Sequence, residues 1–124
     1  MIAEEATKCI DQAVLHEFRN IVKKYGPTYN SEHEGFAVLK EEVEEAEECV
    51  QQINNTMKEI WSLIRKNEIS HIPFLLEFLR DTAVGLSKEA IQITAVSERF
   101  IETEHKNEEA KNTGTTYRED KTIL

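Results

Sequence analysis

Glycine and proline are scarce in this chain: four Gly and two Pro among 124 residues. With so few breakers and no strand-like alternation, helices are left as the main element. There is no Gly-rich phosphate loop and no internal repeat. Cysteine is equally sparse. Cys9 and Cys49 lack metal-ligand spacing, and two thiols in a helical protein fit a reducing, cytoplasmic setting. Positive charge is short as well: 15 Lys and Arg face 24 Asp and Glu, a formal net charge of -9. Sequence-independent nucleic-acid binding needs clustered cations, so it is not expected, and neither is an anionic membrane surface. No apolar run reaches membrane-spanning length, and "MIAEEATKCI" lacks the basic and apolar regions of a signal peptide. A polyanionic substrate would need a bridging cation. One domain with a core is the expected size class.

What is present is helical period. Ile10, Val14, Phe18 and Val22 recur every four residues, which predicts a helix from about Glu4 to Tyr25. Gly26 and Pro27 end it. "SEHE" from Ser31 to Glu34 reads as a capping box. Behind it, Leu39, Val43, Ala46, Val50, Ile53, Met57, Ile60 and Ile64 alternate spacings of four and three, the seam of helices packed side by side. A helix from Ser31 to Lys66 would run roughly 50 Å. Either it kinks near "NNT", with Thr56 starting a fresh helix, or it extends into a partner subunit. Ser70 and Pro73 suit the start of a last helix, which carries Phe74, Phe78, Leu86, Ile93, Val96 and Phe100. Gly85 is a candidate break in it, with Ser87 as a new cap. Residues 1–104 form the expected domain, and the polar stretch 105–124 a mobile tail. The expected fold is all-α, an antiparallel bundle.

The run "EEVEEAEE", Glu41 to Glu48, holds six carboxylates in eight residues. A solvated helix face is the ordinary reading of such a run. On a wheel of ~100° per residue, Glu41, Glu44 and Glu48 lie opposite the apolar seam, and Glu47 on one flank. Glu42 falls on the other edge of the seam, about 50–60° from its centre, with Glu45 one turn on. In the last helix Glu89 falls inside its own apolar seam, and Gln92 at the edge. A lone carboxylate there needs a cation, a donor or a raised pKa. If the two helices pack together, Glu42, Glu45, Glu89 and Gln92 converge. Such an oxygen set suits a hard divalent cation such as Mg²⁺. Arg99 most simply pairs with Glu98 or Glu102, and a phosphate contact is its sharper reading. His33, in the first helical turn, reads as surface or cap, with a ligand contact as the sharper alternative.

These motifs carry a resemblance. "YGPTYNSEHEGFAVLKEEVEEAEE" followed by "KEAIQITAVSERFIE" resembles the MazG-like nucleoside triphosphate pyrophosphohydrolases of the small phage and bacterial type, over roughly Lys24 to Glu102. Their signature is E-x-x-E on one helix and E-x-x-D on a later one, together binding Mg²⁺. Glu42 and Glu45 fit the first element, although overlapping frames such as Glu41 with Glu44 satisfy it too. Glu89 to Gln92 fit the second, with Gln92 standing where the family has Asp. The amide supplies an oxygen but no charge. The connecting stretch is longer than in compact members and reads as further helix serving oligomerisation.

The resemblance implies hydrolysis of a (deoxy)nucleoside triphosphate to the monophosphate and pyrophosphate, of a nucleotide-pool house-cleaning type. Glu42, Glu45 and Glu89 would be catalytic metal ligands for Mg²⁺, with Mn²⁺ a possible substitute. Gln92 would be a weak ligand, and Lys88, Arg99 and His33 substrate contacts. A homo-oligomer, dimer or tetramer, is also implied. Two alternatives stand beside this: an inert helical module of the same fold working through protein–protein contacts, and a plain coiled-coil adaptor.

Overall fold

The computed structural model describes residues 1–113. The first helix, α1, spans Glu4–Tyr25, as its four-residue stripe predicts. Gly26 closes it at φ +91°, a region that disfavours side chains, and its N–H bonds the Val22 carbonyl at 2.8 Å. The Ser31 hydroxyl accepts from the Glu34 N–H at 3.2 Å and caps α2, Glu32–Arg65. Glu34 reaches back one residue past the cap and accepts from the Asn30 N–H at 2.8 Å.

Helix α2 runs unbroken through "NNT". Thr56 does not start a new helix; its hydroxyl donates to the Gln52 carbonyl of the same helix at 2.9 Å. The end of α2 is set by Asn67 at φ +60°. The N–H groups of Asn67 and Glu68 turn back to the Ile64 and Leu63 carbonyls. This is a Schellman arrangement with asparagine in the left-handed position. One 3₁₀ turn, Ile69–His71, then leads into α3, Ile72–Thr113. Ser70 lies within that turn and is not the cap of α3, while Pro73 sits in the first turn of α3, where its missing N–H is harmless.

Helix α3 does not break at Gly85. It sits in mid-helix beside Cys49 of α2, where an added Cβ would meet the Cys49 sulfur at 4.0 Å, an ordinary contact. Ser87 donates back to the Ala83 carbonyl at 3.1 Å. Residues 105–113 continue α3 rather than forming a polar mobile tail. Asn107 ties this extension to α2 by donating to Glu32 at 3.1 Å. Residues 114–124 of the expected tail lie outside the described part.

The three helices run up, down and up, and no strand occurs among the described residues. The short 66–71 connection folds α3 antiparallel onto α2, and α1 packs on α3, running alongside it. Gly35 of α2 meets the Phe100 ring of α3, Cys49 meets Gly85, and the register between them places Glu42 level with Glu89. The buried apolar set is small: Tyr29, Ile60, Ala95 and Val96. No described helix is long and apolar enough to cross a membrane.

Candidate metal centre

Glu42 and Glu45 sit one turn apart on α2, and Glu89 projects toward them from α3. Each offers an oxygen, and the three oxygens lie within 4.8 Å of one another. Glu42 and Glu89 are half-buried and Glu45 is exposed. The remaining glutamates of the run, Glu41, Glu44, Glu47 and Glu48, are exposed, and Glu44 is paired with Lys40. The acidic run thus divides into solvated charge and a turn-spaced pair against α3.

Three like charges this close repel. Burial pushes the Glu42 carboxyl above the ordinary carboxylate range, and the neighbouring Glu45 and Glu89 push it further. Glu45 is raised mainly by the charge of Glu89. One oxygen of Glu42 and one of Glu89 are shut away from water without a hydrogen-bond partner. Leaving two carboxylate oxygens so placed is costly. A hard cation would satisfy both at once, and an all-oxygen donor set is the set such a cation takes.

Two cavities adjoin the cluster and share Glu17, Asn20, Glu42 and Gln92 in their walls. The first, about 730 Å³, is lined by the three glutamates together with His16 and Lys88. The second, about 830 Å³, extends away between the three helices and the 26–31 loop. Its walls include Lys24, Tyr25, Tyr29, Asn30 and Arg99. Both volumes are those of small-molecule sites. Gln92 borders both, one turn beyond Glu89.

Arg99 has a different occupation from the salt bridge its neighbours suggest. Its guanidinium donates to the carbonyls of Tyr25, Gly26 and Thr28 at 2.9–3.0 Å. It also stacks on the Tyr29 ring, 4.1 Å from the centroid. One helical turn on, the Thr103 hydroxyl accepts from the Tyr29 N–H at 2.8 Å and donates to the Arg99 carbonyl. These two α3 side chains therefore fix the loop that walls the larger cavity. Tyr29 is 5% exposed, yet its hydroxyl has no hydrogen-bond partner. Burial raises its pKa, which the Arg99 guanidinium partly offsets by its approach to the hydroxyl and by its charge, so it stays a neutral donor and acceptor.

Of the residues singled out from sequence, Glu42, Glu45, Glu89, Gln92, Lys88 and Arg99 border these cavities. His33 does not; it is exposed in the first turn of α2 beside Glu32. Sequence reasoning missed Tyr29, Asn20, Glu17 and His16. Tyr29 lies in "YGPTYNS", which signals only the end of a helix. Asn20 and Glu17 are polar positions on the cavity side of α1, with no motif to mark them. No family model, curated protein or solved structure matches the chain.

Proposed function

We propose that this protein is a Mg²⁺-dependent nucleotide pyrophosphohydrolase, cleaving a (deoxy)nucleoside triphosphate to the monophosphate and pyrophosphate. The observation that carries the reading is the convergence of Glu42, Glu45 and Glu89 from two helices, with buried oxygens that lack partners. Glu42 and Glu89 would be the principal ligands, Glu45 completes the carboxylate set, and Gln92 adds an amide oxygen. Bound there, the cation neutralises phosphate oxygens and acidifies water.

The chain's own residues supply the rest. Lys88 beside Glu89 offers positive charge to a phosphate chain. The uncharged groups of Asn20, Asn30 and Tyr29 suit the neutral nucleoside half, which the larger cavity has room to hold. Glu45 reaches solvent. It is therefore the carboxylate of the three best placed to take a proton from an attacking water. Arg99 acts by holding the loop rather than by gripping phosphate.

The test is pyrophosphate release from a panel of (d)NTPs with Mg²⁺ or Mn²⁺. Glu42→Gln and Glu89→Gln are expected to abolish turnover, and Gln92→Asp to keep or raise it. Gln92 favours a second reading, an inert helical module of the same design. Turnover that appears only in Gln92→Asp would select that reading, and turnover indifferent to Glu42 and Glu89 would dispose of the metal site.

A further inference from the structure

Among the described residues, two groups on the wall of the larger cavity have a buried polar atom without a partner: Tyr29 through its hydroxyl and Glu42 through one carboxylate oxygen. The first is a donor and the second an acceptor. The charge of Glu42 acts on the Tyr29 hydroxyl, so the two groups lie within electrostatic reach of each other. The charge of Glu34 acts there as well, but Glu34 has no unmet demand. Its carboxylate is exposed and already accepts from the Asn30 N–H at 2.8 Å. Glu42 lies eight residues further along α2, about two turns on and past Val38, on the same cavity wall.

Tyr29 is held as a rigid donor. Its backbone N–H bonds the Thr103 hydroxyl at 2.8 Å. The Arg99 guanidinium lies over its ring, 4.1 Å from the centroid. Phe100 meets the ring edge-on, at 72° and 6.1 Å between centroids. With ring and backbone both fixed by α3, rotation of the O–H bond is the main freedom left to the hydroxyl. The phenol keeps its proton at neutral pH, since burial raises a pKa that is ordinarily ~10. The neighbouring guanidinium polarises that O–H and strengthens it as a donor.

A cation satisfies an orphaned acceptor but never an orphaned donor. Mg²⁺ also demands a regular octahedron at ~2.0–2.1 Å, so a Glu that gives it one oxygen keeps the other. Carboxylates on a metal are oriented by hydrogen bonds to such oxygens. We propose that Tyr29 is the positioning residue for Glu42, its hydroxyl donating to the carboxylate oxygen that a bound divalent cation leaves free. Arg99 and Thr103, which hold Tyr29, thereby act on the metal centre from two and three turns away along α3. The proposal rests on the metal reading of the carboxylate cluster. It adds a task for the 26–31 loop that the cluster alone does not require.

Manganese alone is the probe, with binding to the full chain read by calorimetry or electron paramagnetic resonance. Tyr29→Phe should weaken Mn²⁺ binding about tenfold, the lower end of the ~10–100-fold cost of losing such a partner. Its metal-free melting temperature should not fall. Mg²⁺ added to wild type should shift the tyrosine ultraviolet absorption to longer wavelength, and Tyr29→Phe and Glu42→Gln should each remove that shift. No nucleotide is present, so the outcome is independent of whether the metal serves hydrolysis. Equal Mn²⁺ affinity in wild type and Tyr29→Phe overturns the proposal and leaves the metal site standing. So does a wild-type spectrum indifferent to Mg²⁺ at saturating concentration, a result that needs no variant. A metal-free Tyr29→Phe protein that melts well below wild type assigns the residue to packing and also overturns it. A wild type that binds no divalent cation overturns both this proposal and the metal site.

Discussion

Removing one charge from the carboxylate cluster should stabilise the empty protein and blunt its response to metal. In Glu89→Gln the shape is kept and the charge goes. The largest cause raising Glu45 is that charge, and it also raises Glu42. Both carboxyls have folded pKa values above their unfolded ones, so the folded state binds more protons. Their contribution is therefore most favourable below the ordinary carboxylate range and is lost as pH rises through the raised values. As pH rises above the ordinary carboxylate range the metal-free wild type should lose stability from this source, and Glu89→Gln should lose less.

Divalent cation should reverse the effect. Oxygens about 2.0–2.1 Å from an octahedral Mg²⁺ lie roughly 3–4 Å apart. A cluster within 4.8 Å therefore needs to close by under ~2 Å, which side-chain rotation supplies. At a cation concentration 100 times Kd, the linkage is worth about 2.7 kcal/mol. For a chain of this length that is a rise of roughly 10 °C in Tm. Differential scanning fluorimetry across pH, with and without Mg²⁺ or Mn²⁺, reads both parts. A Glu89→Gln protein that is less stable than wild type without metal, yet shows the full metal shift, would refute the reasoning.

Other outcomes follow from single contacts. Gly35→Ala places a methyl group 3.0 Å from two carbons of the Phe100 ring, and urea titration should show a loss of about 1–3 kcal/mol from overpacking. Arg99→Met leaves three loop carbonyls without donors. At least ~3 kcal/mol of stability should go, since hydrogen bonds to a charged donor are worth ~1.5–3 kcal/mol each but do not add fully. Tyr29→Phe removes a hydroxyl that has no partner within the described structure, so stability should hold or rise. KM for a nucleotide should rise severalfold, and an unchanged KM would remove Tyr29 from the binding site. Gln92→Asp should tighten Mn²⁺ binding measured by calorimetry, because a charged oxygen replaces a neutral one.

Much of the carboxylate cluster was legible because helix geometry alone separates Glu42 from Glu41 and sets Glu89 in an apolar seam. The three helices were legible for the same reason, down to the limits of α1. Local signals misled where tertiary contact decides. Gly85 looks like a breaker but sits in mid-helix facing Cys49, and Thr56 and Ser87 look like caps but bond to their own helix. The Arg99 latch was not legible. Its acceptors are backbone carbonyls more than seventy positions away in the chain, and such bonds leave no periodic trace in side-chain order. The continuation of α3 past Glu104 was hidden by polarity, since a helix exposed on most sides shows no apolar stripe.

The most direct test is the position of bond cleavage. The protein, Mg²⁺ and a deoxynucleoside triphosphate are incubated in ¹⁸O-labelled water, and the products are weighed by mass spectrometry. Attack at the α-phosphorus puts the label in the nucleoside monophosphate and leaves pyrophosphate unlabelled, with both lost in Glu42→Gln. Label in orthophosphate or pyrophosphate, or no turnover across the nucleotide panel, would contradict the account.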